Sequence, residues 1–306
     1  MAANWTAADM PHQNGRTAIV TGANSGLGLA TARELARAGA HVVIASRSVE
    51  KGQRAAEQIG GGNVRVEQLD LADLDNVRSF AGRFADGSLD LLINNAGVMA
   101  PPRRLTKDGF ESQIGTNHLG HFALTGLLLP RLLAAREPRV VTVSSGAHRI
   151  GTIRFDDLQS ERGYNNWRAY GQSKLANLMF CFELQKRATA AGTNLKSTAA
   201  HPGYAATNLQ TAGPARLFER IGGIIGNKLI AQSAEMGALP TLYAATVEDL
   251  PGGTFVGPNG FMEQRGYPHI VSAAGKAYDE DAWRRLWEVS EELTGVRYEF
   301  RAHKPA

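Results

Sequence analysis

The 306-residue chain is 43% hydrophobic and 20% charged, a composition that allows one well-packed soluble domain. Its net charge of +4 comes from 33 basic and 29 acidic residues scattered along the chain, so a nucleic-acid partner is not expected. The single cysteine, Cys181, excludes an internal disulfide and a cysteine-based metal cluster. Residues 1–10 carry Asp9 and no apolar run, so neither a signal peptide nor a stable membrane anchor is predicted, and a cytoplasmic protein is expected.

From residue 16 onward, short β-branched or apolar segments alternate with longer segments that suit helices. Strands that alternate with helices form a parallel sheet, and near-continuous apolar strands suit a sheet covered on both sides. The sequence therefore predicts the α/β class, with a single-domain, Rossmann-type doubly wound parallel β-sheet and helices on both faces. The predicted strands are Thr17–Thr21, His41–Ala45, Val64–Leu69, Leu89–Ile93, Val140–Val143, Leu195–Ala199 and Thr254–Val256, and the predicted helices include Leu27–Ala38, Leu74–Phe84 and Phe110–Leu133.

The first predicted strand ends in a glycine-rich turn directly before a predicted helix. Glycine lets the backbone approach a pyrophosphate closely, and the helix N-terminus offers free amide donors and a positive dipole end. A dinucleotide is therefore expected here, although the GxxxGxG spacing differs from the more widespread GxGxxG. The expected cofactor contacts in this turn are Gly22, Asn24, Ser25, Gly26, Leu27 and Gly28.

The ends of the next strands predict the rest of the nucleotide site. The second strand is followed by Arg47, with no carboxylate to bind a free ribose 2′-hydroxyl. Because a guanidinium can pair with a 2′-phosphate, NADP(H) is favoured over NAD(H); the alternative is that Arg47 is a solvated loop residue. After the third and fourth strands, the residues expected to contact the adenine side and brace the sheet are Asp70, Leu71, Asn94, Ala96 and Gly97.

Tyr170 and Lys174 lie four residues apart at the start of an apolar run, Leu175–Leu184, that is typical of a helix. A free tyrosine, with a pKa of about 10, exchanges protons poorly at neutral pH. A lysine one turn away attracts the phenolate by roughly 4 kcal/mol at about 4 Å, enough in principle to lower the pKa by roughly 3 units. Tyr170 is therefore predicted to act as an acid or base, the alternative being an ordinary amphipathic pair on a helix surface.

Six motifs occur along the chain: TGxxxGxG at 21–28, NNAG at 94–97, Asn117, Ser145, YxxxK at 170–174 and Pro202-Gly203. Together they resemble the motifs of the short-chain dehydrogenase/reductase family, over about residues 14–260. The resemblance also implies that Pro202, Gly203 and the following Thr207 contact the cofactor, with Thr207 at the nicotinamide amide.

The resemblance implies a catalytic tetrad of Asn117, Ser145, Tyr170 and Lys174. Tyr170 is then the acid/base at the substrate oxygen, and Ser145 hydrogen-bonds that oxygen. Lys174 lowers the tyrosine pKa and holds the nicotinamide ribose, while Asn117 positions a water that links the lysine to solvent. Both Tyr170 and Lys174 therefore also count as cofactor contacts. Ser145 is chosen over Ser144 because it lies 28 residues after Asn117, as the family pattern expects.

The gap of 25 residues between Ser145 and Tyr170 is longer than the dozen or so found in many family members. The insertion, from His148 to Asn166, is similar to that in the branch of retinol dehydrogenases, the WW-domain oxidoreductase and light-dependent protochlorophyllide reductase. No N-terminal hydrophobic anchor like that of the membrane-bound retinol enzymes is predicted, and no cysteine lies between Ser145 and Tyr170 as in the protochlorophyllide reductases. Assignment as a retinol dehydrogenase is therefore weakened, and assignment as a protochlorophyllide reductase is weakened more.

The predicted function is an NADP(H)-dependent oxidoreductase that moves a hydride between nicotinamide and a carbonyl or alcohol of a small molecule. An apolar, glycine-broken segment from Gln210 to Met236 is predicted to be a mobile cover, which favours a hydrophobic substrate. The alternative is a non-catalytic NADP(H)-binding sensor or scaffold protein. Such proteins commonly lose the tyrosine or the lysine, and both residues are present here.

Three further expectations concern metals, the C-terminus and assembly. His118 and His121 could share a helical face, but no third ligand accompanies them, so no metal site is predicted. A helical extension over about residues 278–296 carries an aromatic stripe in Asp281–Leu293 that is predicted to be core packing. Family members often pair through the helices that carry Asn117 and Tyr170, so a homodimer or homotetramer stays open beside a monomer.

Overall fold

The computed structural model describes residues 4–84, 86–204 and 232–300, which contain one eight-stranded β-sheet. Its strands are β1 (Thr17–Thr21), β2 (His41–Ser46), β3 (Val64–Gln68), β4 (Leu91–Asn94), β5 (Arg139–Val143), β6 (Lys196–Ala200), β7 (Phe255–Pro258) and β8 (Pro268–Ile270). Their order is β3-β2-β1-β4-β5-β6-β7-β8, and every neighbouring pair is parallel except β7 and β8. Because the strand order reverses between β1 and β4, their carboxyl ends form the crevice in which doubly wound sheets bind ligands.

Helices cover both faces of the sheet. They are α1 (Gly26–Arg37), α2 (Val49–Ile59), α3 (Leu74–Gly82), α4 (Gly120–Leu133), α5 (Asn166–Ala190), α6 (Ala234–Thr246) and α7 (Glu280–Thr294). A one-turn helix, Ser112–Ile114, and a π-helical turn, Gly115–Leu119, lead directly into α4. Within the part of the chain that the structure describes, no helix has both the length and the apolar character needed to cross a membrane.

Alternate residues of the central strands supply two separate cores. Ala18 and Val20 of β1 belong to the core beneath α1 and α6, whereas Ile19 between them belongs to the core beneath α3, α4 and α5. All three side chains are fully buried. Side chains of a strand point alternately to opposite faces, so a strand covered on both sides must be apolar throughout.

The C-terminal helix α7 packs against α4 and α5. Trp287 is 2% exposed, and its ring stacks on Phe180 with centroids 5.9 Å apart. Leu286 beside it is also buried, so the prediction of core packing for this stripe is confirmed. Helix α7 thus covers one face of α4 and α5, the helices near Asn117 and Tyr170 through which family members often pair. The homodimer or homotetramer stays a prediction.

The predicted strands are all present, with ends shifted by no more than two residues. Three elements were not predicted: α2, α6 and β8. Helix α6 has no polar face, because ten of its 13 residues are buried, and so it lacks a helical period in sequence. The predicted cover from Gln210 to Met236 lies outside the described residues as far as position 231, and its residues 234–236 form the first turn of α6.

Candidate active site

The glycine turn after β1 is packed too closely for side chains at two positions. Gly22 has φ +68°, and a Cβ there would lie 3.0 Å from Ala96. A Cβ on Gly28 would lie 2.6 Å from both Gly22 O and Asn95 Nδ2. The turn therefore rests directly on the segment after β4, which holds the two sides of the crevice together.

The N-terminus of α1 fits the phosphates of a dinucleotide. Helix α1 begins at Gly26, and the Ser25 side chain at its N-cap makes no capping hydrogen bond to the first-turn amides. The first turn contains no acidic residue that would compete for these donors. Amide donors and the positive dipole end therefore face the turn in which Asn24, Ser25, Gly26 and Leu27 are half-buried.

Thr21 and His121 connect this turn to the catalytic elements. Thr21 Oγ1 accepts hydrogen bonds from the amides of Asn95 and Ala96, each at 2.9 Å, and lies 2.9 Å from His121 Nε2. The other ring nitrogen of His121 lies 3.0 Å from Asn117 O. Burial lowers the pKa of His121 to about 4, so the ring is neutral. The sequence analysis did not predict that Thr21 and His121 link the turn to Asn117. The spacing of four residues from Asn117 to His121, which suits a contact along one helical turn, was a usable signal.

No metal cluster is found in the described ranges, where no three histidine, cysteine or acidic side chains are grouped suitably. His118, the other histidine considered as a ligand, hydrogen-bonds Ser290 Oγ of α7 through Nε2 at 2.9 Å. Its side chain is buried, and burial lowers its pKa to about 3. The two histidines therefore hydrogen-bond different parts of the fold.

Asn117 lies in the π-helical turn, and its side chain hydrogen-bonds neighbouring residues. Oδ1 accepts from the Val98 amide at 2.7 Å, while Nδ2 donates to Val98 O and to Ser173 Oγ, each at 2.9 Å. π-helical turns are frequent at functional sites. The amide fastens the segment after β4 to α5, and the water expected beside Asn117 stays a prediction.

Ser145 follows β5 and begins a short 3₁₀ turn, Gly146–Arg149. Its Oγ accepts from the Ala147 amide at 3.2 Å. The Ser145 hydroxyl also lies near enough to the Tyr170 phenol to lower the tyrosine pKa. Ser144, by contrast, donates its hydroxyl to Lys174 O at 2.8 Å. The structure thus brings Ser145 to the tyrosine and directs Ser144 to the backbone of α5.

Tyr170 and Lys174 share one face of α5, as their spacing requires, and burial is the main effect on both pKa values. Burial raises the pKa of Tyr170 to about 12, and the nearby Ser145 hydroxyl offsets this only in part. Lys174 Nζ donates to Val143 O at 3.0 Å and lies 5.8 Å from the Tyr170 ring centroid. Burial lowers the lysine pKa to about 8. Burial is the larger effect on the tyrosine pKa, and the role expected of Lys174 toward the phenolate stays a prediction.

The candidate nucleotide contacts after β2 and β3 differ in exposure. Arg47 is exposed just before α2 and makes no ion pair or hydrogen bond with other described residues. Asp70 shapes the turn after β3: its carboxylate accepts from the Ala72 amide at 3.0 Å. Leu71 is buried, and its carbonyl would lie 2.4 Å from a Cβ on Gly120. Arg47 therefore has its guanidinium open to a ligand, while the other two brace the fold.

The segment after β4 reaches the catalytic residues at Gly97. A Cβ on Gly97 would lie 3.0 Å from Asn117 Oδ1 and 3.6 Å from Lys174 Nζ, so only glycine leaves this approach open. Asn94 is fully buried and donates to Thr125 Oγ1 at 3.0 Å. Its side chain therefore stabilises the sheet, whereas Ala96 and Gly97 border the crevice.

The segment after β6 is held by a histidine that the sequence analysis did not single out. His201 is buried, and its Nε2 lies 3.0 Å from Glu263 Oε2 near the β7–β8 hairpin. The amide of Gly203 donates to the other ring nitrogen at 3.3 Å, and Gly203 has φ +65°. Pro202 and Gly203 thus sit in an anchored turn, while Thr207 lies outside the described residues.

Comparisons with known proteins agree with this arrangement. The family profile described as short chain dehydrogenase matches residues 16–216. Retinol dehydrogenase 12 of Mus musculus is 42% identical over 298 residues, covering 93% of this chain and 88% of that protein. Polyprenol dehydrogenase of Mus musculus is 42% identical over 299 residues, covering 94% and 86%. A crystal structure of an uncharacterised protein from Mycobacterium paratuberculosis is 50% identical, with a TM-score of 0.83 and coverage of 97% and 99%.

The matched region holds the whole candidate site described above. Residues 16–216 include the glycine turn, Asn117, Ser145, Tyr170 and Lys174. Proteins of this family are oxidoreductases that use NAD(H) or NADP(H), and the turn after β1 has the backbone donors that such a dinucleotide requires. The chain belongs to the short-chain dehydrogenase family.

Proposed function

We propose that the protein is an NADP(H)-dependent oxidoreductase acting on a carbonyl or alcohol group of a hydrophobic small molecule. The observation that carries the proposal is the convergence of four polar side chains beside the glycine turn. The Ser145 hydroxyl acts on the Tyr170 phenol and lowers its pKa, while Asn117 Oδ1 and Lys174 Nζ border Gly97. An acid, a donor to the substrate oxygen and a cation thus meet at one edge of the sheet.

The chemistry assigned to these residues is proton transfer and orientation. When bound, NADP(H) supplies or accepts the hydride at nicotinamide C4. With a pKa of about 12, Tyr170 carries its proton at neutral pH and can donate it to a carbonyl oxygen during reduction. Ser145 supports the negative charge that develops on the same oxygen. Oxidation of an alcohol requires the phenolate instead, so we expect the oxidative rate to rise with pH.

Lys174 is proposed to serve both the cofactor and the tyrosine. An ammonium group has three donor hydrogens, and Val143 O accepts one of them at 3.0 Å. Two remain to bind the hydroxyls of the nicotinamide ribose and to stabilise the phenolate. Burial lowers the lysine pKa to about 8, so the group is still mostly charged at neutral pH.

The preference for NADP(H) rests on Arg47. The guanidinium is exposed at the carboxyl end of β2, and Ser46 and Ser48 on either side carry no charge. A planar fork of donors suits the 2′-phosphate of NADP(H), and a carboxylate that would favour the free ribose of NAD(H) is missing from this turn. The remaining predicted cofactor contacts, Thr207 included, belong to the same proposal.

The proposed hydrophobic substrate rests on the site's surroundings and on the relatives. Trp167 is half-exposed one helical turn before Tyr170, and the two rings meet edge to face at 6.2 Å. Ile150, which follows the Ser145 turn, is 60% exposed. Two relatives are named for retinol and polyprenol, both long apolar alcohols. Apolar side chains near the acid/base residue would bind such chains by the hydrophobic effect.

The proposal is tested first by binding and then by turnover. NADPH and NADH are titrated against the protein by fluorescence, and NADPH consumption is followed with straight-chain aldehydes of increasing length, retinal and a short polar aldehyde as control. We expect tighter binding of NADPH than of NADH, and turnover that improves with chain length. Binding without any turnover would favour the sensor or scaffold function, and binding of neither nucleotide would overturn the proposal.

A further inference from the structure

We propose that His148 is a positioning residue for Ser145, and that it ties this serine to the C-terminal segment 271–278 before α7. The inference rests on the proposed function, because it assigns a task within the same site. His148 follows Ser145 by three residues, in the 3₁₀ turn that the serine begins. Its ring is fully buried between two backbone groups that are distant in sequence.

The two hydrogen bonds of the ring determine where its proton lies. Nδ1 lies 2.7 Å from Ser145 O, and the amide of Ala274 donates to Nε2 at 3.1 Å. A carbonyl can only accept and an amide can only donate, so the proton must be on Nδ1. Burial lowers the pKa of His148 to about 4, which keeps Nε2 unprotonated at neutral pH. Both ring nitrogens are therefore fully engaged.

The hydrogen bond to Ser145 O acts at the base of the catalytic side chain. The same carbonyl also accepts from the His148 amide at 3.0 Å, so two donors from one residue hold it. The Ala147 amide in this turn donates to Ser145 Oγ at 3.2 Å, which leaves the hydroxyl proton for Tyr170 or the substrate. The direction of the Ser145 hydroxyl therefore depends on a turn that His148 fixes.

The Ser145 turn is also packed tightly against the helix that carries Tyr170. A Cβ on Gly151 would lie 2.1 Å from Gly171 O, and one on Gly171 would lie 2.9 Å from Ala147 O. The turn cannot move towards α5 without a backbone collision. His148 restrains it on the other side, where the ring also meets Phe255 edge to face at 5.6 Å.

The other end of the link is the turn that leads into α7. The Ala273 amide donates to Tyr278 OH at 3.0 Å, and the 3₁₀ turn Gly275–Tyr278 follows directly. A second link reaches this segment at the surface, where Arg149 Nη2 donates to Ser272 O at 3.2 Å. Arg149 is half-exposed and donates from its side chain to no atom of Ser145, which makes it a matched control for the His148 contact.

The test compares His148→Phe with Ser145→Ala and with the double variant. His148→Phe keeps the ring volume but removes both hydrogen bonds, so we expect kcat to fall about tenfold or more while the NADPH affinity stays unchanged. Ser145→Ala should cost roughly a hundredfold or more. Because His148 acts through Ser145, adding His148→Phe to Ser145→Ala should cost nothing further. An equal loss of kcat in both backgrounds would overturn the inference.

Two further measurements separate positioning from folding. His148→Asn places an amide donor near the Nδ1 position and should restore most of kcat, while Arg149→Met should leave kcat near wild type although it cuts the surface link. Thermal unfolding of all variants checks that the fold is kept. A His148→Asn variant that folds but is no faster than His148→Phe would contradict the role.

The ¹⁵N shifts of the His148 ring give a readout that does not depend on turnover. We expect protonated Nδ1 and bare Nε2 at neutral pH, and the opposite tautomer would refute the geometry. If the wild-type protein turns over no carbonyl substrate, the proposed function fails while the ring assignment is still decided. If the wild type is active and His148→Phe is equally active, only the inference fails.

Discussion

Residues 16–97 and residues 255–300 lie towards opposite edges of the sheet and reach the candidate site by different routes. In the first region, each candidate contact directly follows its own strand: Gly22 follows β1 and Arg47 comes just after β2. In the second region, the contacts join residues far apart in the chain. Ser290 meets His118 across 172 positions, and Tyr298 OH donates to Phe122 O at 2.6 Å across 176 positions.

The difference separates two ways of building an active site. A turn that follows a buried strand is placed by the sheet itself, so its residues are free to serve a ligand. The C-terminal region instead fills the space beside α4 and α5 and holds catalytic elements from outside. Changes in the first region should therefore act on binding or chemistry, and changes in the second should act first on stability.

The largest expected effect is at Tyr170, which lies between the two regions in the chain. Tyr170→Phe removes the proposed proton donor, so turnover should fall by about 10²–10⁴-fold while NADPH affinity stays the same. Tyr164→Phe is the matched control, since its hydroxyl donates to Pro101 O at 3.0 Å and serves the fold. Steady-state rates and fluorescence titrations check both variants. Retained activity in Tyr170→Phe would remove this residue as the acid/base.

Trp287→Ala tests whether the C-terminal region acts through stability. The indole is buried against Phe180, Phe122 and Tyr298, with centroid distances of 5.9, 5.0 and 4.4 Å. Its removal should lower the free energy of unfolding by about 3–5 kcal/mol. Trp167→Ala, which removes a half-exposed indole from α5, should cost much less. Urea unfolding measures both variants. If Trp287→Ala lowered the free energy of NADPH binding by more than the free energy of unfolding, the contrast between the two regions would be wrong.

Mild acid should destabilise both regions, because buried histidines hydrogen-bond the glycine turn as well as the C-terminal region. Burial lowers the pKa of His118 to about 3 and of His121 and His148 to about 4, all below the usual 6.5. The unfolded chain therefore binds these protons first, so stability is complete above about pH 6.5 and falls as pH drops towards the folded pKa values. When the pH falls from about 7.5 to 5.5, each buried ring should lower the free energy of unfolding by about 1.4 kcal/mol, and the three together by about 4 kcal/mol.

Urea unfolding at several pH values measures this loss. His118 and His148 hydrogen-bond the C-terminal region, whereas His121 hydrogen-bonds Thr21 of the glycine turn. His269→Gln is the control, because His269 is exposed and its replacement should leave the slope unchanged. A stability that stays constant between the two pH values would show that the three rings are not buried as described.

The strands could be predicted from sequence because their signal is local. Thr17–Thr21 is an apolar run that ends at a glycine, and the structure has the same bounds. Helix α6 escaped prediction because burial on all sides removes the polar face that marks a surface helix. Strand β8 is only three residues long, begins with Pro268 and forms through pairing with β7. Such an element depends on its neighbour more than on its own residues.

The placement of the candidate site residues could be predicted from sequence better than their electrostatics. The spacing of Tyr170 and Lys174 correctly puts them on one helix face, but spacing carries no information on burial. Burial raises the tyrosine pKa to about 12, and the Val143 carbonyl takes one lysine hydrogen. The roles of His121 and His148 depend on partners from other elements. Only the folded chain brings those partners together.

The smallest expected effect returns to the nucleotide region, at Arg47. Arg47→Asp replaces the proposed phosphate-binding guanidinium with a carboxylate that repels a 2′-phosphate and can accept from a free 2′-hydroxyl. The ratio of NADPH to NADH affinity should fall by about 10–100-fold, as expected for the loss of a charged hydrogen bond of about 1.5–3 kcal/mol. Arg54→Asp, on the exposed face of α2, makes the same change in net charge away from the turn and should leave the ratio nearly intact. Because the Arg47 side chain makes no hydrogen bond or ion pair with other described residues, the unfolding free energy should stay near wild type. An unchanged ratio of NADPH to NADH affinity would refute the phosphate role of Arg47. A large loss of unfolding free energy would show instead that contacts beyond β2 hold this turn, as distant contacts hold the C-terminal region.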